Sequence, residues 1–227
     1  DLGTDVAPET FIKAVTEHIK AKVADPLRET LTVIPAKDGK AYSVDLEGEY
    51  WRCFSFIEDA TSFDRVETLE DFYESAVAFG NFQRLLADYP VETLHETIVG
   101  FHDTKARFEV FKKVVEADIC GRADSVRPEI EFVLAHEDVA NVFGDLLAKG
   151  ELPPRVTHND TKLNNVLLDA KTREALCVID LDTVMPGLSA FDFGDSIRFG
   201  TATAKEDTVD LSAMRLTPRA SLQLLHR

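Results

Sequence analysis

The sequence predicts an α+β protein in which a small strand-rich part precedes a larger, mainly helical part. Residues 30–57 alternate between apolar and polar side chains and are rich in β-branched and aromatic residues, a composition typical of strands. From residue 68 onward, apolar residues recur at intervals of three and four, which indicates amphipathic helices. Because strands and helices occupy separate stretches of the chain, the pattern favours the α+β class.

One helix precedes the strands, and Pro8 suits its first turn. Its apolar positions have the spacing of a single buried face: Phe11, Ile12, Val15 and Ile19. Within the strand-rich part, the sequences KDGK and EGE predict turns between strands. A polar connector at residues 59–64 then leads into the helical part.

A long amphipathic helix opens the helical part, and Pro90 ends it. Its predicted buried face contains Leu69, Phe72, Ala76, Phe79 and Leu86. Further helical stretches are predicted at residues 104–120 and 128–149. We therefore divide the chain into a strand-rich part at residues 1–58, the connector, and a helical part at residues 65–227.

The overall charge argues against a nucleic-acid partner. The 227 residues include 25 Lys and Arg against 41 Asp and Glu, a formal net charge of −16, whereas binding to a phosphate backbone needs a basic surface. A polyanionic substrate would require a local cation, either a metal ion or a few placed basic residues. No apolar run approaches the roughly 20 residues of a membrane helix, and the polar first residues do not resemble a signal peptide. We therefore expect a cytoplasmic protein that does not bind membranes.

The three cysteines are Cys53, Cys120 and Cys177, and no two of them have metal-ligand spacing. Cys53 and Cys177 lie inside apolar, strand-like runs. Both are predicted to be reduced thiols of the core.

A β-hairpin is predicted in the sequence NVLLDAKTREALCVID, which begins at Asn165. If Lys171–Glu174 forms its turn, Asn165 lies directly opposite Asp180, and the Cβ atoms of such cross-strand neighbours are about 4.5–5.5 Å apart. A carboxylate and an amide oxygen brought together in this way suit Mg²⁺. Asn165 and Asp180 are therefore the candidate metal ligands.

The loop that enters the hairpin carries His158, Asp160 and Lys162. The spacing H-x-D-x-x-x-x-N, followed by a second Asp after a hairpin, matches the catalytic loop and the metal-binding Asp of kinases. Asp160 is the candidate base for the substrate hydroxyl, and Lys162 is placed to neutralise charge on the transferred phosphoryl group. We expect His158 to be a buried, hydrogen-bonded residue that orients the loop.

Three further acids follow the hairpin. Asp182 is placed either to assist the metal or to start the next turn. The DFG triplet at Asp192 resembles the metal-binding motif of protein kinases, but Asp180 already fills that role at the expected distance. We therefore expect Asp192 and Asp195 to cap helices or to brace the catalytic loop.

The strings HNDTKLNN, VIDLDTVMPG and FDFGDSIRFG together resemble the aminoglycoside phosphotransferase and choline kinase family. TVIPAKDGKAY, FIEDATSFD and IVGFHDTKARFE resemble its N-acetylhexosamine 1-kinase branch. The resemblance spans roughly residues 8–212. It implies a two-lobed, protein-kinase-like fold, with ATP and Mg²⁺ as cofactors. It also implies phosphorylation of the anomeric hydroxyl of N-acetylglucosamine or N-acetylgalactosamine, a small-molecule substrate.

The resemblance also assigns residues. It carries over Asp160 as the base, and Asn165 and Asp180 as metal ligands. The segment Phe56, Ile57 and Glu58 matches the connection between the lobes, where backbone groups hold adenine. His102, Asp103 and Arg107 become candidates for contacts to the sugar hydroxyls, although an ordinary helix start capped by Asp103 or Thr104 explains the same residues.

Two parts of a kinase are missing from the sequence. Before the adenine segment there is neither a glycine-rich turn nor a lysine within an apolar strand. We therefore expect an incomplete small lobe and a truncated helical lobe, so that this chain by itself binds Mg-ATP poorly or not at all and can be inactive through truncation.

Two alternatives to the sugar kinase stay open. A kinase of the same family could act on choline, homoserine or an aminoglycoside, each of which carries a cationic ammonium group and favours an acidic pocket. A non-catalytic binding domain could also use the fold, but the complete set Asp160, Asn165 and Asp180 argues against loss of chemistry by decay. The sequence leaves the oligomeric state open.

Overall fold

The computed structural model describes residues 9–204 and 208–215, so Pro8 lies outside the described residues. The chain forms two compact units. One contains the described residues of Asp1–Thr97 and Arg155–Arg227, and the other is Ile98–Pro154. The division into lobes at residues 59–64 stays a prediction.

The first unit contains three helices and all seven strands that the described residues form. Its helices are α1 (Glu9–Lys20), α2 (Leu69–Leu85) and α6 (Ser189–Thr201). Its strands are β1 (Ser43–Val44), β2 (Tyr50–Trp51), β3 (Ala60–Thr61), β4 (Arg155–Thr157), β5 (Val166–Asp169), β6 (Ala175–Val178) and β7 (Met185–Gly187). Antiparallel pairing joins β1 with β2, β4 with β7, and β3, β5 and β6 in that order.

The second unit is helical. It contains α3 (Thr104–Ala117), α4 (Arg127–Leu134) and α5 (Glu137–Ala148). The predicted stretch at residues 128–149 is therefore two helices, which are separated at Ala135 and His136.

Both predicted turns of the strand-rich part are confirmed. Ala36 N donates to Lys40 O at 2.8 Å, and Asp45 N donates to Glu49 O at 3.0 Å. Gly39 and Gly48 supply the φ values of 85° and 89° that these turns need, values that glycine adopts without a Cβ penalty.

The prediction of a buried core thiol is confirmed for Cys177 and wrong for Cys53. Cys177 is buried, and burial raises the pKa of its thiol to about 12. Cys53 is exposed, as is Cys120. Phe54, the neighbour of Cys53, forms only an isolated β-bridge with Val33, so Cys53 does not lie within a strand of a sheet.

The core lies between α1, α2 and the β5–β6 hairpin. The four predicted residues of α1 are all buried, and Phe72, Phe79 and Leu86 are buried on α2, whereas Leu69 is 45% exposed. Helix α6 packs on α2 at Gly200, where a Cβ atom would overlap the ring of Phe72. The close approach of these two helices therefore requires glycine at position 200.

The register of the β5–β6 hairpin differs from the predicted one. Val166 lies opposite Val178 and Leu167 opposite Cys177, with a bulge between Leu167 and Leu168. Ile179 N donates to Asn165 O at 2.9 Å, so Ile179 rather than Asp180 lies beside Asn165. The reason is local: the turn closes between Asp169 and Glu174, and the bulge then shifts the pairing by one residue.

Two arginines, one of them in the turn itself, connect the tip of this hairpin to other parts of the unit. Arg28 Nη2 lies 3.1 Å from Asp169 Oδ2 and within 3.4 Å of the backbone oxygens of Glu58 and Asp59. Arg173 Nε donates to the buried carboxylate of Asp71 at 2.8 Å. Burial raises the pKa of Asp71, but hydrogen bonds from Arg173 and Thr68 outweigh it, and the pKa lies below its usual value.

Asp169 makes the hairpin tip sensitive to acid. Its carboxylate accepts the N–H groups of Thr172 and Lys171 and faces Arg28, and these contacts lower its pKa from 3.8 to about 2. At a pH well above the ordinary aspartate pKa of 3.8, Asp169 is ionised in both the folded and the unfolded chain, and its contacts stabilise the fold. As the pH falls, the unfolded chain binds the proton first, and the stabilisation is lost as the pH approaches the folded value.

We expect Asp169→Asn to reduce the loss of stability in acid, because the variant lacks this proton linkage while its amide oxygen still accepts from the turn. Urea unfolding at about pH 6 and about pH 3 measures the effect. The parent should lose more stability between the two conditions than the variant. Equal losses would contradict the assignment, and Asp124→Asn, an exposed ion-paired residue of the other unit, is the matched control.

Candidate active site

Asp160, Lys162 and Asn165 lie together at the entrance to the hairpin. Asn165 Nδ2 donates to Asp160 O at 2.9 Å and to Asp160 Oδ2 at 3.0 Å. Lys162 Nζ lies 3.2 Å from the same Oδ2 atom. Asp160 and Lys162 keep 25% and 22% of their side chains exposed, so the pair is held in place and still reaches solvent.

The bonds of Asn165 fix which end of its amide faces outward. Its Nδ2 group donates to Asp160, whereas no donor to its Oδ1 atom is found among the residues that the structure describes. Likewise Asp160 Oδ1 has no described donor, because both contacts are made to Oδ2. One acceptor oxygen on each residue is therefore left for a ligand.

His158 is buried and hydrogen-bonded, as predicted. Its Nε2 atom donates to Ile179 O at 2.9 Å, and its Nδ1 atom accepts from Asp160 N at 3.3 Å. These two bonds require a proton on Nε2 and none on Nδ1. The ring packs edge-on against Phe79 and Phe82, so His158 joins the loop before the hairpin to Ile179, the residue that follows strand β6.

The prediction that Asp192 and Asp195 brace the catalytic loop is confirmed. Asp192, 3% exposed, accepts His158 N at 3.0 Å and Asn159 N at 2.8 Å, and Gln83 Nε2 donates to it at 2.8 Å. Asp195 accepts Thr161 N at 2.7 Å. Both acids lie on α6, so this helix fixes the backbone that leads to Asp160.

Asp180 lies at the exposed start of the turn after β6. It adopts φ 58° and ψ 60° in the left-handed region. The described residues contain no cluster of three or more His, Cys, Asp or Glu that could hold a metal ion. Asn165 and Asp180 would offer one amide oxygen and one carboxylate. This is enough for Mg²⁺, which usually has only one or two protein ligands because phosphates and water fill its other coordination positions.

The predicted adenine segment is formed by Phe56, Ile57 and Glu58. Phe56 is 82% exposed and Ile57 belongs to the core. Next to them, Ala170 N donates to Asp59 O at 2.9 Å, and β3 pairs with β5. The hairpin that follows Asn165 is therefore bonded to residues 59–61, which directly follow the segment.

His102, Asp103 and Arg107 lie in the second unit. Asp103 caps helix α3, with its carboxylate accepting Ala106 N at 2.8 Å. Arg107 lies over the ring of Phe101 at 5.8 Å. The capping explanation therefore accounts for Asp103, and the sugar contacts of all three residues stay a prediction.

Sequence reasoning missed Arg52, Gln83 and the arginines at the hairpin tip. Arg52 forms an ion pair with Asp182, and Gln83 binds Asp192. Their partners are 130 and 109 residues away along the chain. No local spacing in the sequence indicates such pairs.

A family model described as the phosphotransferase enzyme family matches residues 28–220, most of the chain. The chain belongs to the phosphotransferase enzyme family. The matched range includes the catalytic loop, the hairpin and helix α6, the three elements that the site geometry brings together.

A solved structure is also similar to this chain, the microcompartment-associated aminopropanol kinase. The two share 16% sequence identity with a TM-score of 0.50 over 87% of this chain and 60% of that protein. The likeness supports the kinase-like α+β fold. The chain spans 60% of the length of that kinase. None of its described helices is both long enough and apolar enough to cross a membrane.

Removal of the Asp192 carboxylate should strongly destabilise the folded protein. Asp192→Ala leaves two backbone N–H groups and the Gln83 amide without their acceptor in a buried site. We expect the free energy of unfolding to fall by more than about 3 kcal/mol. Urea unfolding measures this, with Asp124→Ala as the control that should change it by less than about 1 kcal/mol. A loss for Asp192→Ala no larger than for the control would show that the brace is unimportant.

Proposed function

We propose that this protein is an ATP-dependent kinase that transfers the γ-phosphoryl group to a hydroxyl of a small molecule, with Mg²⁺ as its metal. The observation that carries the proposal is the Asn165 amide. It binds the backbone oxygen and the carboxylate of Asp160 through Nδ2, so that the base and a metal-binding oxygen are held by one side chain. Its Oδ1 atom has no donor among the described residues and is an oxygen of the kind that Mg²⁺ takes as a ligand.

Asp160 accepts the proton of the acceptor hydroxyl on its Oδ1 atom. The acceptor oxygen then forms a bond to the γ-phosphorus, and the bond from that phosphorus to the β–γ bridging oxygen breaks. ADP leaves with the electron pair of that bond. Oδ2 stays bonded to Asn165 and Lys162, which holds Oδ1 in a fixed direction.

Lys162 lies beside the base and supplies positive charge where the phosphoryl group is transferred. Phosphoryl transfer depends mainly on positioning and on neutralising charge. The net charge of −16 would repel a nucleotide from most of the surface. Positive charge from Lys162 and the metal ion at the site would offset this repulsion locally. Asn165 Oδ1 and the Asp180 carboxylate would hold Mg²⁺, which supplies neutralisation of the phosphate oxygens when it is bound. The backbone of Phe56–Glu58 would hold adenine.

We infer that the acceptor is an N-acetylhexosamine, phosphorylated at its anomeric hydroxyl. The strings TVIPAKDGKAY, FIEDATSFD and IVGFHDTKARFE support this choice, with His102, Asp103 and Arg107 as candidate contacts. A cationic acceptor such as choline, homoserine or an aminoglycoside is the second candidate. The name of the similar aminopropanol kinase favours it, since that acceptor also carries an amine.

Asp160→Asn should abolish most phosphoryl transfer while leaving nucleotide binding intact, because the amide cannot accept the hydroxyl proton. The expected loss in turnover is at least about a hundredfold. Release of ADP by the full-length protein measures turnover, and calorimetry measures nucleotide binding. Turnover within about threefold of the parent would exclude Asp160 as the base. Asp124→Asn, remote in sequence and exposed, should behave as the parent does.

An acceptor screen on the full-length protein tests the substrate class. N-acetylglucosamine, N-acetylgalactosamine, choline, homoserine, aminopropanol and an aminoglycoside are compared at equal Mg-ATP. We expect the largest kcat/KM for an N-acetylhexosamine, with an acid-labile anomeric phosphate as the product. A largest value for any of the cationic acceptors would replace the sugar by that class, and no phosphorylation of any hydroxyl would contradict the kinase proposal.

A further inference from the structure

The turn that carries Asp180 begins in an uncommon backbone conformation. The φ and ψ angles of Asp180, 58° and 60°, lie in the left-handed region, which few residues other than glycine, asparagine and aspartate adopt. Residues Leu181–Thr183 continue as one short helical turn, which Val184 N closes by donating to Leu181 O at 3.1 Å. Contacts of the neighbouring residues help to hold Asp180 in this conformation.

The catalytic loop holds the inner side of this turn. Asn159 Nδ2 donates to Thr183 O at 2.9 Å, and Thr183 Oγ1 donates to His158 O at 2.7 Å. Leu181 is buried in the core. These contacts fix Leu181 and Thr183, but none of them reaches the residue between the two, Asp182.

Asp182 is held by a different part of the chain. Its carboxylate forms an ion pair with Arg52, which directly follows β2, and its backbone oxygen accepts Thr97 Oγ1 at 3.2 Å. Only 17% of the Arg52 side chain is exposed, and its guanidinium lies 5.9 Å from the centre of the Phe54 ring. Arg52 is therefore a packed cation with a defined direction, unlike a mobile surface arginine.

We propose that the Arg52–Asp182 ion pair sets the direction of the Asp180 carboxylate, and that Arg52 is a positioning residue of the metal site. The inference rests on the proposed function, in which Asp180 is a magnesium ligand. Asp182 is two residues from Asp180 in a turn of one helical repeat, so holding its side chain restricts rotation of the whole turn. The carboxylate of Asp182 is then used by Arg52 and does not serve as a ligand.

Because the Arg52–Asp182 ion pair is partly exposed, its positioning role can be distinguished from a contribution to the stability of the whole fold. The Asp182 side chain is 60% exposed, and ion pairs of that kind add little to global stability. Removal of Arg52 should therefore loosen the turn and weaken metal binding while the rest of the fold is preserved.

Hydrogen exchange and Mn²⁺ binding test the proposal on the same full-length protein that is used to measure turnover. In the absence of nucleotide, Arg52→Gln should speed amide exchange at residues 180–184 by about three- to fivefold, the effect of one partly exposed ion pair. With ADP present, its affinity for Mn²⁺, measured by electron paramagnetic resonance, should fall about tenfold. Its Tm should change by less than about 4 °C.

Two further variants complete the design. The charge exchange R52D/D182R should restore both exchange and Mn²⁺ affinity to within about twofold of the parent, which a purely steric role of Arg52 would not allow. Arg127→Gln, which breaks an exposed ion pair with Asp124 in the other unit, should leave both measurements unchanged.

Several results would overturn the inference: unchanged exchange and Mn²⁺ affinity in Arg52→Gln, or a parent that binds no Mn²⁺ with ADP. Loss of Mn²⁺ affinity in Asp182→Asn but not in Arg52→Gln would do the same, because Asp182 would then be a ligand itself. Failure of the proposed function gives a different pattern. Asp160→Asn would then transfer phosphate as the parent does, while Arg52→Gln would still alter exchange and Mn²⁺ affinity.

Discussion

The buried carboxylate of Asp192 fixes the backbone on which the candidate site is built. It accepts two successive N–H groups of the catalytic loop and the amide of Gln83, all neutral donors. A carboxylate is stable in a buried position only when its oxygens are satisfied in this way. Asn159 turns into the left-handed region, at φ 67°, and its N–H reaches the carboxylate in that conformation. The position of Asp160, the next residue, follows from this arrangement.

His158 links the same loop to the turn that carries Asp180. Its backbone N–H binds helix α6, its ring binds strand β6, and its backbone oxygen accepts Thr183. One residue therefore connects the helix, the hairpin and the turn that contribute to the site. These contacts give a structural reason for a histidine two residues before Asp160, the proposed base.

The sequence predicts the parts of the site that are close along the chain. The spacing of Asp160 and Asn165 indicated one cluster, and their side chains do meet. The register opposite Asp180 was wrong because a turn closed by Asp169 and a bulge are decided by a few local hydrogen bonds. Asp192 was recognised as a brace, but its donor Gln83 was not. Long-range partners of this kind depend on how helices pack, which periodicity does not specify.

The contact between Gly200 and Phe72 has a consequence for how this family can vary in sequence. Helix α6 contacts α2 at two points. Gly200 packs against Phe72, and Asp192 accepts a hydrogen bond from Gln83. Gly200 and Asp192 are roughly 12 Å apart along α6. A side chain at position 200 would separate the helices at one point and tilt α6 about the other. The carboxylate that orders the catalytic loop would then be displaced, although position 200 bears no functional group. Substitution at Gly200 is therefore tolerated only together with a smaller residue at position 72, so that these two positions should change in concert.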